Sequence, residues 1–522
     1  MPPIEHVFVL MLENRSFDHM LGFSGITGTD PVTGKPTSLA GLTGDESNAY
    51  AGVSYPVTEG ADWSMPRDPN HELQDTVVQL CGPAKRFVKG QPYPPIDNSG
   101  FVVEWAAAGG FAQPGEIMKC YAADQLPVLN ALAREFAVCD GWHSSMPGPT
   151  WPNRFFAMAG SSGGLDRSPD PSQMADWYTG MQTPDALGVA ASPAAGLASL
   201  TLKNLMSPPG FQFANGSIFD ALTRKGTPWQ VYYGDEGPYV GRFPIAGALA
   251  NVHVTEWSGY SRFASDLAAG RTYPFTWIEP NYGSASDNTY FGGTSQHPMD
   301  DVTKGEGLIK SVYETIRASP VWEKSLLIIT WDEHGGFYDH VAPGPAVEPG
   351  DPISTSFGTI NQFGFTFDRL GVRVPAVVVS PLIAQNVVDH RPYEHASIPA
   401  TVERLCGMPA LTARDAAAAD VLSLLTLSAP RATPETLPNP ADSGLPQTPV
   451  ETAAGGAATA AGAQPLGPSN LAGFVQVAAR ADTQLSPPAE HPAIQEQVAA
   501  IETRGQATDY IKGVAEKLAE TT

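Results

Sequence analysis

Six short runs that are apolar on both faces constrain what this 522-residue chain can fold into more than any other feature: EHVFVLML (5–12), FAVCDGW (136–142), WQVYY (229–233), FTWIE (275–279), SLLIITW (325–331) and VPAVVVS (374–380). A strand without a polar face has to be covered on both sides, which is the condition of a strand inside a parallel sheet. Helical patterns lie between these runs, at 125–136, 217–226, 304–319 and 395–407. The alternation predicts an α/β fold: a three-layer α/β/α sandwich around a central, mostly parallel sheet.

Domain organisation follows from shifts in composition. Residues 1–427 carry the alternating pattern and read as one α/β domain; 428–467 form a Pro/Ala-rich linker; 468–522 read as a helical C-terminal segment. In that segment Ile494, Val498, Ile501, Ile511, Val514 and Leu518 make one apolar stripe. It can dock on its own domain or serve an oligomer or another partner. Two stretches rich in Gly, Pro, Ser and Asp, at 24–115 and 161–215, read as loop excursions over one face.

The balance of 30 Lys+Arg against 54 Asp+Glu, a net charge of −24, argues against nucleic acid as a partner and means that a phosphate-bearing substrate needs local help. The four cysteines, Cys81, Cys120, Cys139 and Cys406, have no C-x-x-C spacing and are compatible with either disulfides or buried thiols. The chain as written opens on a strand with no signal segment, which by itself points to the cytoplasm. No stretch reaches 18 uninterrupted apolar residues.

Ligands of open α/β sheets bind at the carboxyl ends of the strands, and two of these strands end in polar clusters. The first delivers Glu13 and Asn14; the fifth delivers Asp332, Glu333 and His334. Adjacent carboxylates at the end of a buried strand repel unless a cation or proton neutralises them, so a metal site accounts for both, against the plainer reading of helix capping. Oxygen ligands favour Ca²⁺, Mg²⁺ or Mn²⁺, with Zn²⁺ also compatible. Thr150, in HSSMPGPTWPNRFF, fits a helix N-cap and equally a nucleophile at a helix N-terminus, with Ser144 and Ser145 as rival hydroxyls. His297 and His71 lie in polar text from which an imidazole can contact phosphate or protonate a leaving oxygen, and His340 and His395 are weaker candidates. Trp142, Trp151 and Phe337 are aromatic enough to cage an ammonium group through cation–π contact, or simply to pack a core.

The motifs ENRSFDHMLG, PGPTWPNR, SQHP and WDEHGGFYDHV, in that order, resemble the bacterial phosphoesterase family of nonspecific phospholipases C and related acid phosphatases. The resemblance implies an alkaline phosphatase-like fold and metal-assisted phosphoryl transfer. Position by position, it implies that Glu13, Asn14, Asp332 and Glu333 hold one or more divalent ions together with Thr150. It makes Thr150 the nucleophile, and Asn14, His297 and His71 catalytic groups near the phosphate. The threonine leans toward phospholipase C acting on a phospholipid, with peripheral membrane contact. The alternatives are an acid phosphatase acting on small phosphomonoesters, and an inactive lipid- or partner-binding protein on the same scaffold. The family also implies secretion or export, against the missing signal segment. A sulfatase needs C-x-P-x-R, and the nearest text is CGPAK at 81–85.

Overall fold

The computed structural model describes residues 4–107, 109, 113–171, 210–235, 242–285, 288–351, 360–446 and 461–521. All six apolar runs enter one ten-stranded sheet. In chain order its strands are β1 (His6–Leu12), β2 (Thr27–Thr29), β3 (Pro36–Ser38), β4 (Ala137–Cys139), β5 (Trp229–Tyr233), β6 (Trp257–Gly259), β7 (Phe275–Glu279), β8 (Ser325–Trp331), β9 (Ala376–Val379) and β10 (Val387–Asp389). Across the sheet they run β6-β5-β7-β1-β8-β9-β4-β10-β2-β3. Most pairings are parallel; β9 is antiparallel to both its neighbours, and the β2–β3 pair at the edge is antiparallel as well.

Helices cover both faces, as the two-sided apolar strands require. The helices that frame the site are α1 (Pro127–Glu135), α2 (Thr150–Ala159), α3 (Ile218–Lys225), α4 (Phe263–Ala268), α5 (Val302–Ala318), α6 (Ser397–Cys406), α7 (Asn470–Leu485), α8 (His491–Ala499) and α9 (Arg504–Thr521). Val7 stands opposite Phe275 in the β1–β7 register, and Phe275 packs on Phe219 of α3. Phe8 points the other way, to Phe263 of α4, with ring centroids 6.2 Å apart. Local sequence sets the helix ends. Ser217 caps α3 in a capping box with Asp220, Gly226 closes that helix in the left-handed region, and Asp301 caps α5.

The 24–115 stretch is more than a loop excursion. It holds a hairpin (Ser47–Tyr50 with Val53–Pro56), the helices Leu73–Cys81 and Phe101–Ala107, and a second apolar core that includes Val57, Leu73, Val77, Phe101 and Trp105. Part of the 161–215 excursion, 172–209, lies outside the described residues, as does 447–460 of the linker. The linker's first half is bound to α5: Tyr313 donates to the Pro434 carbonyl at 2.6 Å, and the Leu437 N–H donates to Glu314 at 2.7 Å. The C-terminal helices share the main core, and Ile494, Val498, Ile511, Val514 and Leu518 are all buried in it. All four cysteines are free thiols. Among the described residues no helix is long and apolar enough to cross a membrane.

β1 and β8 are parallel with Leu12 opposite Trp331, so Glu13-Asn14 and Asp332-Glu333 emerge side by side at the same edge. Asn14 turns the chain there with φ of 59°, a conformation that costs about 1 kcal/mol or more in a residue with a side chain. Gly335 accommodates this turn: its φ is +61°, and a Cβ on it would lie 2.2 Å from the Asn14 carbonyl oxygen. Gly335→Ala is expected to destabilise the protein by about 1–3 kcal/mol and to displace Asn14, read as a lowered urea midpoint together with lost activity.

Candidate active site

The Asp332 carboxylate organises the strand ends. Its Oδ1 accepts the backbone N–H groups of Asn14 (3.0 Å) and Glu333 (2.8 Å), while its Oδ2 accepts Nε of Arg154 at 2.9 Å, with both partners fully buried. The same guanidinium donates through Nη2 to the carbonyls of Met11 (3.2 Å) and Leu12 (2.8 Å). Burial pushes the carboxyl of Glu13 well above its usual range, and the charge of Asp332 adds to the effect. Burial raises Asp332 too, with Arg154 pulling it back. The backbone carbonyl of Asp332 is held by Nε2 of His395 at 2.5 Å, and Nδ1 of that ring accepts the Trp142 indole N–H at 3.3 Å.

Thr150 is the first residue of α2, and the position before it, the N-cap, is Pro149. Its hydroxyl therefore does not cap the helix. Instead Oγ1 points at Oδ1 of Asn14, 3.5 Å away. The loop that delivers it is tied by Asn153, whose side chain accepts the Met146 N–H and donates to the carbonyls of Met146, Gly148 and Pro149. The rival hydroxyls are committed elsewhere: Ser144 donates to the carbonyls of Met146 and Val372, and Ser145 to Glu394.

The excursion at 24–115 roofs the site and brings in His71 and Asp68. Nε2 of His71 lies 3.3 Å from the Asn14 amide nitrogen and 3.7 Å from Glu333, while Nδ1 is 2.7 Å from the Pro69 carbonyl. Burial disfavours charge on His71, but Glu333 and Asp68 outweigh it and lift the imidazole to about 10. Burial also raises Glu333, to about 7, against the pull of His71. His297 is fully buried, stacked on Tyr290 with centroids 3.3 Å apart, and its Nε2 sits 3.4 Å from Asp68. Burial lowers His297 and Asp68 opposes that shift. The only side chains of this group that reach solvent are Asp68 and His71, at 24% and 13% exposure, so they stand at the mouth.

The predicted residues Glu13, Asn14, Thr150, Asp332, Glu333, His71 and His297 thus meet at one strand edge, while the weaker candidates have other partners. His340 pairs with Asp18 at 2.7 Å and His395 with the Asp332 carbonyl and Trp142, while His334 at the end of β8 pairs with Gln79 at 2.8 Å. Trp142, Trp151 and Phe337 are packed inside, on Tyr393, Phe155 and His19 respectively, so they form core and no ammonium cage. Cys81 of CGPAK is a buried thiol held up at about 12 by burial. Sequence reasoning missed Arg154, Asp68, Tyr290 and Asn470, although Arg154 stands four residues after Thr150 within a motif already singled out.

Five buried polar atoms of the site make no hydrogen bond: Oε2 of Glu13, Oε1 of Glu333, Nε2 of His297, Oδ1 of Asp68 and Nη1 of Arg154. Open carboxylate oxygens in a buried, net acidic pocket fit a divalent cation and, beside His297, a phosphoryl group. Asp332, with both oxygens engaged, contributes mainly through Arg154. Among the described residues, the His/Cys/Asp/Glu donors that gather within 4.8 Å of one another are Asp18, Asp339 and His340. There the place of a cation is already taken, because Arg373 bonds Asp18 and Asp339 at 2.9 Å each.

The chain matches the Phosphoesterase family over residues 4–409. It belongs to that family. Non-specific phospholipase C6 of Arabidopsis thaliana is 33% identical to it over 460 residues, which span 84% of this chain and 76% of that protein. Non-specific phospholipase C3 of the same plant is 31% identical over 467 residues, with the same shares. Phospholipase C A of Mycobacterium tuberculosis (strain CDC 1551 / Oshkosh) is 26% identical over 485 residues, covering 85% of this chain and 82% of that one. A solved protein of the alkaline phosphatase superfamily from Vibrio parahaemolyticus overlaps 56% of this chain and 63% of its own, at 14% identity and a TM-score of 0.26, too slight an overlap to add weight. As a member of the phosphoesterase family, the protein is a phosphoric ester hydrolase.

Two outcomes follow from the buried charges. Arg154→Gln leaves Asp332 buried without its cation, and the expected cost is about 3–5 kcal/mol in urea unfolding. Burial holds His395 and His334 at about 3, below the ordinary 6.5. Each is neutral when folded but takes a proton when unfolded. Stability is therefore full above 6.5 and falls as pH drops toward 3, by up to about 1.4 kcal/mol per pH unit per histidine. Urea titrations at pH 7 and 5 check this, with His395→Gln expected to flatten the loss.

Proposed function

We propose that the protein is a phospholipase C, which cleaves the glycerophosphate ester of a phospholipid to diacylglycerol and a phosphorylated head group, with Thr150 as nucleophile. The observation that carries this is the position of the Thr150 hydroxyl: first in α2, released from capping and aimed at Asn14 between two strand ends. The names of the relatives support the choice of a phospholipid.

Thr150 stands at the N-terminus of α2, and a helix N-terminus favours phosphoryl oxygens. Oε2 of Glu13 and Oε1 of Glu333, with Asn14 and the Thr150 hydroxyl, are the groups that hold a divalent ion in this reading. When bound, that ion supplies Lewis acidity to the hydroxyl and to the phosphoryl oxygens. Thr150 Oγ1 attacks phosphorus in line, and its proton passes to the carboxylate of Glu333 as the new P–O bond forms and the bond to the diacylglycerol oxygen breaks; the proton returns to Thr150 when the phosphothreonine is hydrolysed. The amide of Asn14 stabilises the charge that develops on the phosphoryl oxygens. His297, held under Tyr290 with Asp68 3.4 Å from its Nε2 and its pKa lowered by burial, gives a proton to the departing diacylglycerol oxygen. Water then hydrolyses the phosphothreonine, restoring Thr150 and releasing the phosphorylated head group. The buried pocket excludes bulk water while these charges move. Peripheral contact with a lipid surface belongs to the same reading, with Asp68 and His71 at the mouth.

The test compares p-nitrophenylphosphorylcholine with p-nitrophenyl phosphate, with added Mn²⁺, Mg²⁺ or Ca²⁺, for the wild-type protein and Thr150→Val. The expected result is metal-dependent turnover of the diester, abolished in Thr150→Val at unchanged thermal stability. An active, folded Thr150→Val protein sinks the nucleophile. Preference for the monoester replaces phospholipase with phosphatase, and tight ligand binding without turnover replaces enzyme with binder.

A further inference from the structure

The family match ends at residue 409, yet one side chain of the active site comes from beyond it. Asn470 is the first residue of α7, after the Ser469 cap. Its Nδ2 donates to Oε1 of Glu13 at 3.1 Å, and its Oδ1 accepts the Trp151 indole N–H at 3.0 Å. Nδ2 also lies 3.4 Å from the hydroxyl of Tyr290, whose ring stacks on His297. Asn470 is therefore in contact with the acidic strand end, the residue after Thr150, and the ring that seats His297.

The packing around it is specific. One turn along α7, a Cβ on Gly473 would lie 2.1 Å from the Trp151 ring, so only glycine lets α7 approach this closely. Farther along, Arg480 donates to the carbonyls of Gly247, Leu249, Ala250 and Val252, which fixes the helix along its axis. With Trp151 fixing the amide, Nδ2 faces Glu13 and the Tyr290 hydroxyl. Donation to Oε1 then sets the carboxylate rotation that leaves Oε2 as the open oxygen.

We propose that Asn470 is a positioning residue of the phosphoesterase reaction: the C-terminal helix completes the active site by orienting the Glu13 carboxylate and, through Tyr290, the His297 ring. The proposal rests on the reading above that Glu13 belongs to the reacting site. Asn470→Ala removes the contacts to Glu13, Trp151 and Tyr290. Asn470→Asp keeps the acceptor for Trp151 and removes the donor to Glu13. Both variants should lose about 10- to 100-fold in kcat with KM little changed, and both should need more Mn²⁺ to raise the melting temperature. Val477→Ala, in the buried core of the same helix, is the structural control. It should lower the melting temperature and leave kcat and the Mn²⁺ midpoint as in the wild type. Folded Asn470 variants with wild-type kcat and Mn²⁺ midpoint overturn the proposal, as does a Val477→Ala protein that loses kcat to the same extent. Glu13→Ala separates the two levels. If it is inactive while the Asn470 variants are active, only the positioning role falls; if it is active, the reading of the site falls and takes this proposal with it.

Discussion

The buried pair of Arg154 and Asp332 is the interaction on which the rest of the site depends. Moving two charges out of water costs several kcal/mol per ion, and that cost is recovered by close pairing and by further hydrogen bonds to the two groups. Here Asp332 takes two backbone N–H groups and Nε of the guanidinium, while Nη2 reaches two carbonyls of β1. Arg154 sits on α2, the helix that begins with Thr150. One guanidinium therefore ties the nucleophile helix to the ends of two adjacent strands, and the distance between Thr150 and Asn14 follows from that tie.

Around this fixed point the pocket gathers more negative charge than it neutralises. Glu13, Glu333 and Asp68 face two histidines, and open oxygens on all three carboxylates find no donor. In a protein of net charge −24 the long-range field repels a phosphate ester, so attraction has to be local: a cation, a helix N-terminus and the protonated imidazole of His71. The roof built from 24–115 then serves chemistry as well as shape. It carries His71 and Asp68 over the strand ends and leaves them as the partly exposed rim of an otherwise buried site.

Much of this was legible in the chain. Strands apolar on both faces announced a covered sheet, and the polar residues at the ends of β1 and β8 marked where ligands go, because register follows from local pattern. Other features were not legible. The reversed direction of β9 leaves no trace in AVVV, since an apolar run reads the same in either direction. β6, β10 and the edge pair β2–β3 are three residues each, too short for a period to show. Thr150 resembled a cap because Thr before Pro suits that role, but the helix begins one residue earlier than that reading requires. The aromatic residues near the motifs looked available for a ligand, yet their burial is a property of their neighbours.

The sequence by itself determined the alternation of elements, the strand ends that carry acid and amide, and the motifs that place the chain among phosphoesterases, because each of these is written within a few consecutive residues. The tertiary structure decided which charges are paired and which are left open: Arg154 on Asp332, His71 on Glu333, Asp68 on His297, and Asn470 on Glu13 across 457 positions of chain. Such contacts join residues with no periodic relation to one another, and their energy comes from desolvation that exists only once the chain has closed around them.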